Sequence, residues 1–152
     1  MNSHGKIVGV IVGVSLVILV GAMIVMSSTS QKTDQISSTE EEVVAGNGIH
    51  WHPRVEIYVK GEKVTLESDI GRRGGEQPIH THEEDNLEGV IHLEYPGIVT
   101  KDDIKLGKFF KIWGKEFNFG GDKIVMKVNG SENTEYDNYE MHDGDVIEIR
   151  YE

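Results

Sequence analysis

The chain has 152 residues, a formal net charge of −11 at pH 7 and no cysteine. This acidic balance argues against a nucleic-acid-binding surface, which needs basic groups to contact the phosphates. The lack of cysteine excludes disulfides, thiolate metal sites and cysteine nucleophiles.

The first predicted element is a hydrophobic helix over residues 7–26. This segment carries no charge, and at about 1.5 Å per residue it extends for ~30 Å, the hydrocarbon thickness of a bilayer. A secretory signal peptide is the alternative, although its apolar core is usually about 7–15 residues long and ends at a small-x-small cleavage site. Residues 7–26 therefore predict a single-pass transmembrane helix.

The charges that flank this helix predict its orientation. Lys6 and the N-terminal amine precede the helix, whereas glutamates follow its other end, so residues 1–6 are expected to form a short cytoplasmic tail. Everything after the helix is then extracytoplasmic, at the cell membrane. Gly5, Gly9 and Gly13 recur at the four-residue spacing that allows two membrane helices to approach closely, which leaves a homodimer or another membrane protein as candidate partners.

Residues 27–47 predict a disordered linker. They are rich in Ser, Thr, Gln and acidic residues and contain no aromatic side chain, so they cannot bury enough apolar surface to offset the entropy of ordering. Residues 48–152 contain both tryptophans and are long enough to form one soluble extracytoplasmic domain.

The first half of this domain predicts a hairpin, a third strand and a helix. Residues 54–66 alternate apolar and polar side chains around a glycine turn, and residues 89–95 form another strand-like run. Residues 100–114 have apolar side chains at helical spacing after Thr100, with Asp103 three positions later as in a capping box.

The second half adds a strand at residues 123–128, an Asn129-Gly130 turn and a last strand at residues 146–151. This element order is that of an α+β fold of the β-grasp (ubiquitin-like) type, with a mixed sheet packed on one short helix. Residues 140–149 also resemble the closing segment of β-grasp sulfur-carrier proteins. Their chemistry needs a terminal Gly-Gly, whereas this chain ends in Tyr-Glu, so the resemblance implies only the fold.

Histidines are the main functional signal. Five lie between residues 50 and 92 as two His-x-His pairs and a single residue: His50, His52, His80, His82 and His92. Residues i and i+2 of an extended segment project to the same face, so each pair can direct two imidazoles at one point.

Neutral imidazole binds zinc, copper, nickel and ferrous iron, and three or four imidazoles complete a site. Glu83 and Glu84 follow the second pair and are candidates for an added carboxylate ligand. The alternative is that these histidines are solvated or paired with surface carboxylates. The sequence favours a metal site at His50, His52, His80 and His82 with His92 as a further ligand.

Three blocks of the chain resemble an uncharacterised family of membrane-anchored archaeal and bacterial proteins. The blocks are His50-Trp51-His52, the run from Pro78 to His82 followed by Gly89-Val90-Ile91-His92, and Leu106-Gly107-Lys108-Phe109-Phe110-Lys111-Ile112-Trp113-Gly114. They correspond to the H-W-H, H-T-H, I-H and L-G-x-F-F-x-x-W-G motifs of that family. The resemblance implies exported, membrane-tethered domains and no established activity.

The sequence thus predicts a membrane-anchored domain that binds a copper or zinc ion for metal capture, buffering or delivery. One alternative is a cupin-like metal-dependent enzyme, because Gly74, His80, His82 and Glu88 approximate half of the cupin signature. The other alternative is an adhesion or assembly module without a metal. No nucleophile elbow, Walker loop or H-E-x-x-H helix occurs in the sequence.

Overall fold

The computed structural model describes residues 41–152. The predicted tail, the predicted transmembrane helix and most of the predicted linker lie outside these residues. Among residues 41–152, no helix has the length and apolar character needed to cross a bilayer. The domain has the α+β class expected from its sequence.

Ten strands and one α-helix make up the described fold. The strands are β1 (Val43–Ala45), β2 (Ile49–Trp51), β3 (Arg54–Val59), β4 (Glu62–Val64), β5 (Ile79–His80), β6 (His92–Tyr95), β7 (Val99–Thr100), β8 (Ile124–Val128), β9 (Ser131–Glu132) and β10 (Val146–Tyr151). The helix, α1, is Leu106–Trp113. Short 3-10 helices cover Asn86–Glu88, Lys101–Ile104 and Tyr136–Asn138.

The larger sheet has the order β4-β3-β10-β8-β9. Its first and last strands in the chain, β3 and β10, are parallel neighbours at its centre, and the other pairs are antiparallel. Ile147 and Ile149 of β10 face the core and pair with Val55 and Ile57 of β3. Burial of each such isoleucine stabilises the fold by about 1.5–3 kcal/mol. The predicted hairpin and last strand are confirmed.

The predicted helix is present in two parts. Thr100 and Asp103 form the expected capping box, and Leu106, Phe109 and Phe110 are buried. Lys105 has extended backbone dihedrals, φ −66° and ψ 136°, and it bridges to the segment around Glu140. A tertiary backbone pairing therefore interrupts the helical hydrogen bonds at Lys105, which helical spacing of side chains does not reveal.

A smaller antiparallel sheet of order β2-β6-β5 carries the histidines. On one face, Leu93 of β6 pairs with Trp51 of β2 and Ile79 of β5. Leu93 and Ile79 are fully buried, so this face packs on the core. Residues 89–95 were predicted as one strand, whereas β6 begins at His92 because Val90 makes an isolated bridge to Arg54 instead.

The C-terminal end of the predicted linker, residues 41–47, lies within the described residues. Val43–Ala45 forms β1, which pairs with β7. The backbone carbonyl of Glu42 accepts a 2.9 Å hydrogen bond from the Lys101 backbone N–H, and Val44 and Ala45 pack on the core. Backbone pairing with β7 and the packing of Val44 and Ala45 on the core order this segment.

We expect Gly48→Ala to destabilise the domain and Gly46→Ala to leave it nearly unchanged. Gly48 has φ +84°, and a Cβ there would lie 2.2 Å from the backbone oxygen of Tyr95, whereas a Cβ at Gly46 meets nothing within 4 Å. The Gly48 variant should lose about 2 kcal/mol of unfolding free energy or more, measured by urea denaturation. Equal losses in the two variants would contradict this contact between the β2 edge and β6.

Candidate metal centre

The strand register brings the histidines onto one face of the smaller sheet. His50 of β2 pairs with Glu94 of β6, and His80 of β5 pairs with His92 of β6. His52 follows β2 at the position that faces His92. Because side chains alternate between the two faces of a strand, all these groups lie opposite the buried face of Leu93.

His92 is the centre of the arrangement. Its ring centroid lies 4.7 Å from that of His52, 4.5 Å from that of His82 and 5.5 Å from that of His80. The ring centroids of His50 and His52 are 4.7 Å apart, and those of His80 and His82 are also 4.7 Å apart. The structure therefore gathers all five histidines that the sequence singled out.

Two overlapping groups of side chains have the spacing to hold a metal ion. They are His50, His52, His92 and Glu94, and His80, His82, His92 and Glu94. Within each group the potential ligand atoms lie within 4.8 Å of one another. Nitrogen ligands of a tetrahedral ion with 2.0–2.1 Å bonds are ~3.3 Å apart, so the ligand atoms of each group are close enough to converge on one ion after side-chain movements.

Glu94 is a candidate ligand that the sequence did not indicate. The sequence favoured Glu83 and Glu84 as carboxylate ligands, and the cupin-like alternative required Glu88. All three side chains are exposed, and none belongs to either group. The signal for Glu94 was its position two residues after His92 on one strand, which gives both side chains the same face.

The His80 ring is held in one tautomer. Its Nδ1 lies 2.8 Å from the backbone carbonyl of Gln77, and a carbonyl only accepts, so Nδ1 carries the proton and Nε2 has the lone pair. Burial lowers the pKa of His80, which favours the neutral ring. Its Nε2 faces the Nε2 of His82 at 2.9 Å, while Nδ1 of His82 accepts from the Arg72 guanidinium at 3.1 Å.

The His92 ring is oriented by a carboxylate. In the neutral ring Nε2 donates to Oδ2 of Asp85 at 2.9 Å, which leaves the lone pair on Nδ1. That Nδ1 is buried without a hydrogen-bond partner, and it faces Oε1 of Glu94 at 3.5 Å. A cation held between these two atoms would bind both of them.

His92 Nδ1 and Glu94 Oε1 have the arrangement expected of two ligands of one metal ion. Carboxylate–histidine–metal arrangements fix the ring of a ligating histidine in this way. The 3.5 Å separation is close to the ~3.3 Å between two ligands of a tetrahedral ion. The residues present could therefore hold a metal ion, with His92 Nδ1 and the Glu94 carboxylate as ligands and Asp85 as the group that orients His92.

The outer side of the cluster is open to solvent. Nε2 of His50 lies 3.2 Å from Oε1 of Glu94, and 65% of the His50 side chain is exposed. The backbone N–H of His52 donates to Oδ1 of Asp143 at 2.8 Å. The sixth histidine of the domain, His142, stacks on Trp51 and belongs to neither group.

Comparisons with known proteins give no match: no family model, no curated protein and no solved structure is significantly similar to the chain. The resemblance to membrane-anchored archaeal and bacterial proteins stays a prediction.

We expect metal-free protein at neutral pH to contain His80 as the Nδ1–H tautomer and His92 as the Nε2–H tautomer. Long-range ¹H–¹⁵N correlation spectra distinguish a protonated from a bare ring nitrogen and measure both. Asp85→Ala removes the acceptor of the His92 proton and should give a mixture of His92 tautomers, whereas Glu84→Ala, an exposed neighbour, should not. A wild-type His92 protonated at Nδ1 would contradict this arrangement.

Proposed function

We propose that this domain binds a transition-metal ion, copper(II) or zinc, through His50, His52, His80, His82 and His92. The observation that supports the proposal most directly is the buried, unpartnered Nδ1 of His92 facing the Glu94 carboxylate. A buried polar atom without a partner costs about 1–3 kcal/mol, and a metal ion bound between His92 and Glu94 would supply that partner.

The donor chemistry favours copper or zinc over calcium or magnesium. Calcium and magnesium take oxygen ligands almost exclusively. Here imidazole nitrogens outnumber carboxylates in both groups, and borderline ions such as Cu(II) and Zn(II) prefer imidazole. The carboxylates of Asp85 and Glu94 add negative charge that offsets the charge of the bound cation.

Metal capture, buffering or delivery suits this site better than catalysis. The His50 side chain is largely exposed, and 43% of the His52 side chain is exposed as well, so an ion can be exchanged with solvent or with a partner. A cavity of about 440 Å³ is lined by α1, by the residues that follow it up to Phe117 and by Asp137, and by none of the five histidines. An enzyme with a cupin-like site gains no support, because Glu88 is outside both ligand groups.

We further propose a β-grasp-like fold for the domain. The support is the sheet order β4-β3-β10-β8-β9, with the parallel pair β3 and β10 at its centre and α1 between β4 and β8 in the chain. In this view β1 and β2 form an N-terminal extension, and β5, β6 and β7 form an insertion between β4 and α1. The histidine cluster then lies on these two additions to the fold, not on its basic framework.

The location of the site remains the one that the sequence predicts. Residues 7–26 would anchor the chain in the cell membrane and place the metal site outside the cytoplasm, where metal ions enter or leave the cell. Ion delivery would then pass to a membrane protein or to a second copy of the chain.

We expect His92→Ala to weaken copper and zinc binding by at least ~100-fold, since removal of even an outer-shell partner typically costs 10–100-fold. Isothermal titration of the metal-free protein with each ion measures this effect. His142→Ala, which removes a histidine outside both groups, should change the affinity less than about threefold. The absence of stoichiometric copper, zinc, nickel and iron binding by the wild-type chain would refute the metal proposal.

We expect the full chain to sediment with membranes and to resist alkaline carbonate extraction. Deletion of residues 7–26 should release it, because no other segment of the sequence is long and apolar enough to span a bilayer. Immunoblots of fractionated cells measure the distribution, and recovery of the undeleted chain in the soluble fraction would contradict the anchor.

A further inference from the structure

The histidine cluster offers more ligands than one ion of the proposed kind uses. Five imidazoles and the Glu94 carboxylate are divided between two groups, and only His92 and Glu94 belong to both. A zinc ion in a protein takes about four ligands. Each group supplies such a set by itself.

The two His-x-His pairs come from opposite sides of the smaller sheet. His50 and His52 extend from β2, His80 and His82 extend from β5, and β6 lies between these strands. Neighbouring strands are about 4.8 Å apart, so β2 and β5 are separated by about 9.6 Å. The rings of His52 and His82 each reach His92 from their own side, at 4.7 Å and 4.5 Å.

Glu94 is placed to join the two halves. Its Oε1 lies 3.2 Å from Nε2 of His50 and 3.5 Å from Nδ1 of His92, and the second carboxylate oxygen is available as a further ligand. A carboxylate can bind one ion with each oxygen, and ions paired in this way in proteins lie about 3.5–4 Å apart.

We propose that the cluster is a two-ion centre. One ion is held by His50 and His52, the other is held by His80 and His82, and the Glu94 carboxylate bridges them while His92 Nδ1 completes one set. This inference rests on the proposed function, because it adds a second ion to the same site. It predicts that each half can be removed without loss of the other.

The stoichiometry of binding tests the proposal. The metal-free full chain is loaded with excess Cu(II) or, separately, Zn(II), passed through a desalting column and measured for metal and protein content. We expect two ions per wild-type chain and two per His142→Ala chain, the matched control. The double variants His50→Ala/His52→Ala and His80→Ala/His82→Ala should each retain one ion.

Electron paramagnetic resonance of the copper-loaded protein gives a second readout. Two bridged Cu(II) ions couple magnetically, so the integrated wild-type signal should fall below the amount of copper bound. Each double variant should show the full signal of one isolated Cu(II). Glu94→Gln, which removes the bridging carboxylate, should restore the signal toward the bound copper.

Each outcome decides the proposal. Saturation of the wild-type chain at one ion would overturn the two-ion centre and leave the proposed function standing, whereas no bound ion would overturn both. If the wild-type chain binds one ion and each double variant binds none, the two His-x-His pairs share a single site. His80 is buried, so its replacement could unfold the domain, and circular dichroism checks the fold of each double variant. If His80→Ala/His82→Ala unfolds, the single variant His82→Ala replaces it, because His82 is only half-buried.

Discussion

The alternation of side chains along β6 is the constraint on which the rest of this domain depends. Leu93 is fully buried against Ile79 and the core, so its neighbours His92 and Glu94 must face the other way. A shift of one residue in the register would bury a histidine and a carboxylate and would expose the leucine. The burial of one apolar side chain thus fixes the place of two candidate ligands and, through the strand pairs, of the flanking histidines.

Hydrogen bonds in the segment between β4 and β6 hold the second His-x-His pair in place. The hydroxyl of Thr81 donates to the backbone carbonyl of Glu67 at 2.6 Å and accepts from the backbone N–H of Ile70 at 3.2 Å. The Asn86 side chain donates to the carbonyl of Leu66 at 2.6 Å. The residue between His80 and His82 therefore ties the pair to the core, so that the polar face of the small sheet has a rigid edge.

The sequence predicted the elements whose signals are local. Alternation identified β3, β4 and β10, the Asn129-Gly130 turn marked the end of β8, and Thr100 with Asp103 marked a helix start. Short strands such as β1 and β9 carry no pattern of their own, and they form because a neighbour offers its backbone. The break at Lys105 likewise depends on a pairing with residue 140, far away in the chain.

In the candidate site, too, the sequence predicted the features with local signals and missed those that depend on tertiary contacts. Residue type and spacing identified the five histidines, because a His-x-His pair on an extended segment is visible without a structure. The roles of Asp85 and Glu94 were not visible, because they depend on how a loop and a strand meet His92 in space. Acidic residues are frequent in this chain, so only geometry separates a carboxylate that orients or binds from one that merely keeps the surface soluble.

The inner and outer parts of the cluster differ in how well they are prepared for a metal. His80 and His92 are buried or half-buried, and the Gln77 carbonyl and the Asp85 carboxylate fix their rings, so binding costs them little side-chain entropy. His50 is largely exposed and lies beside Glu94 and His52, so its side chain must be ordered when an ion binds. A rigid inner set raises affinity, while mobile outer ligands can leave the ion one at a time. That combination agrees with the proposed uptake and delivery of an ion, because release through exposed ligands does not require the core to open.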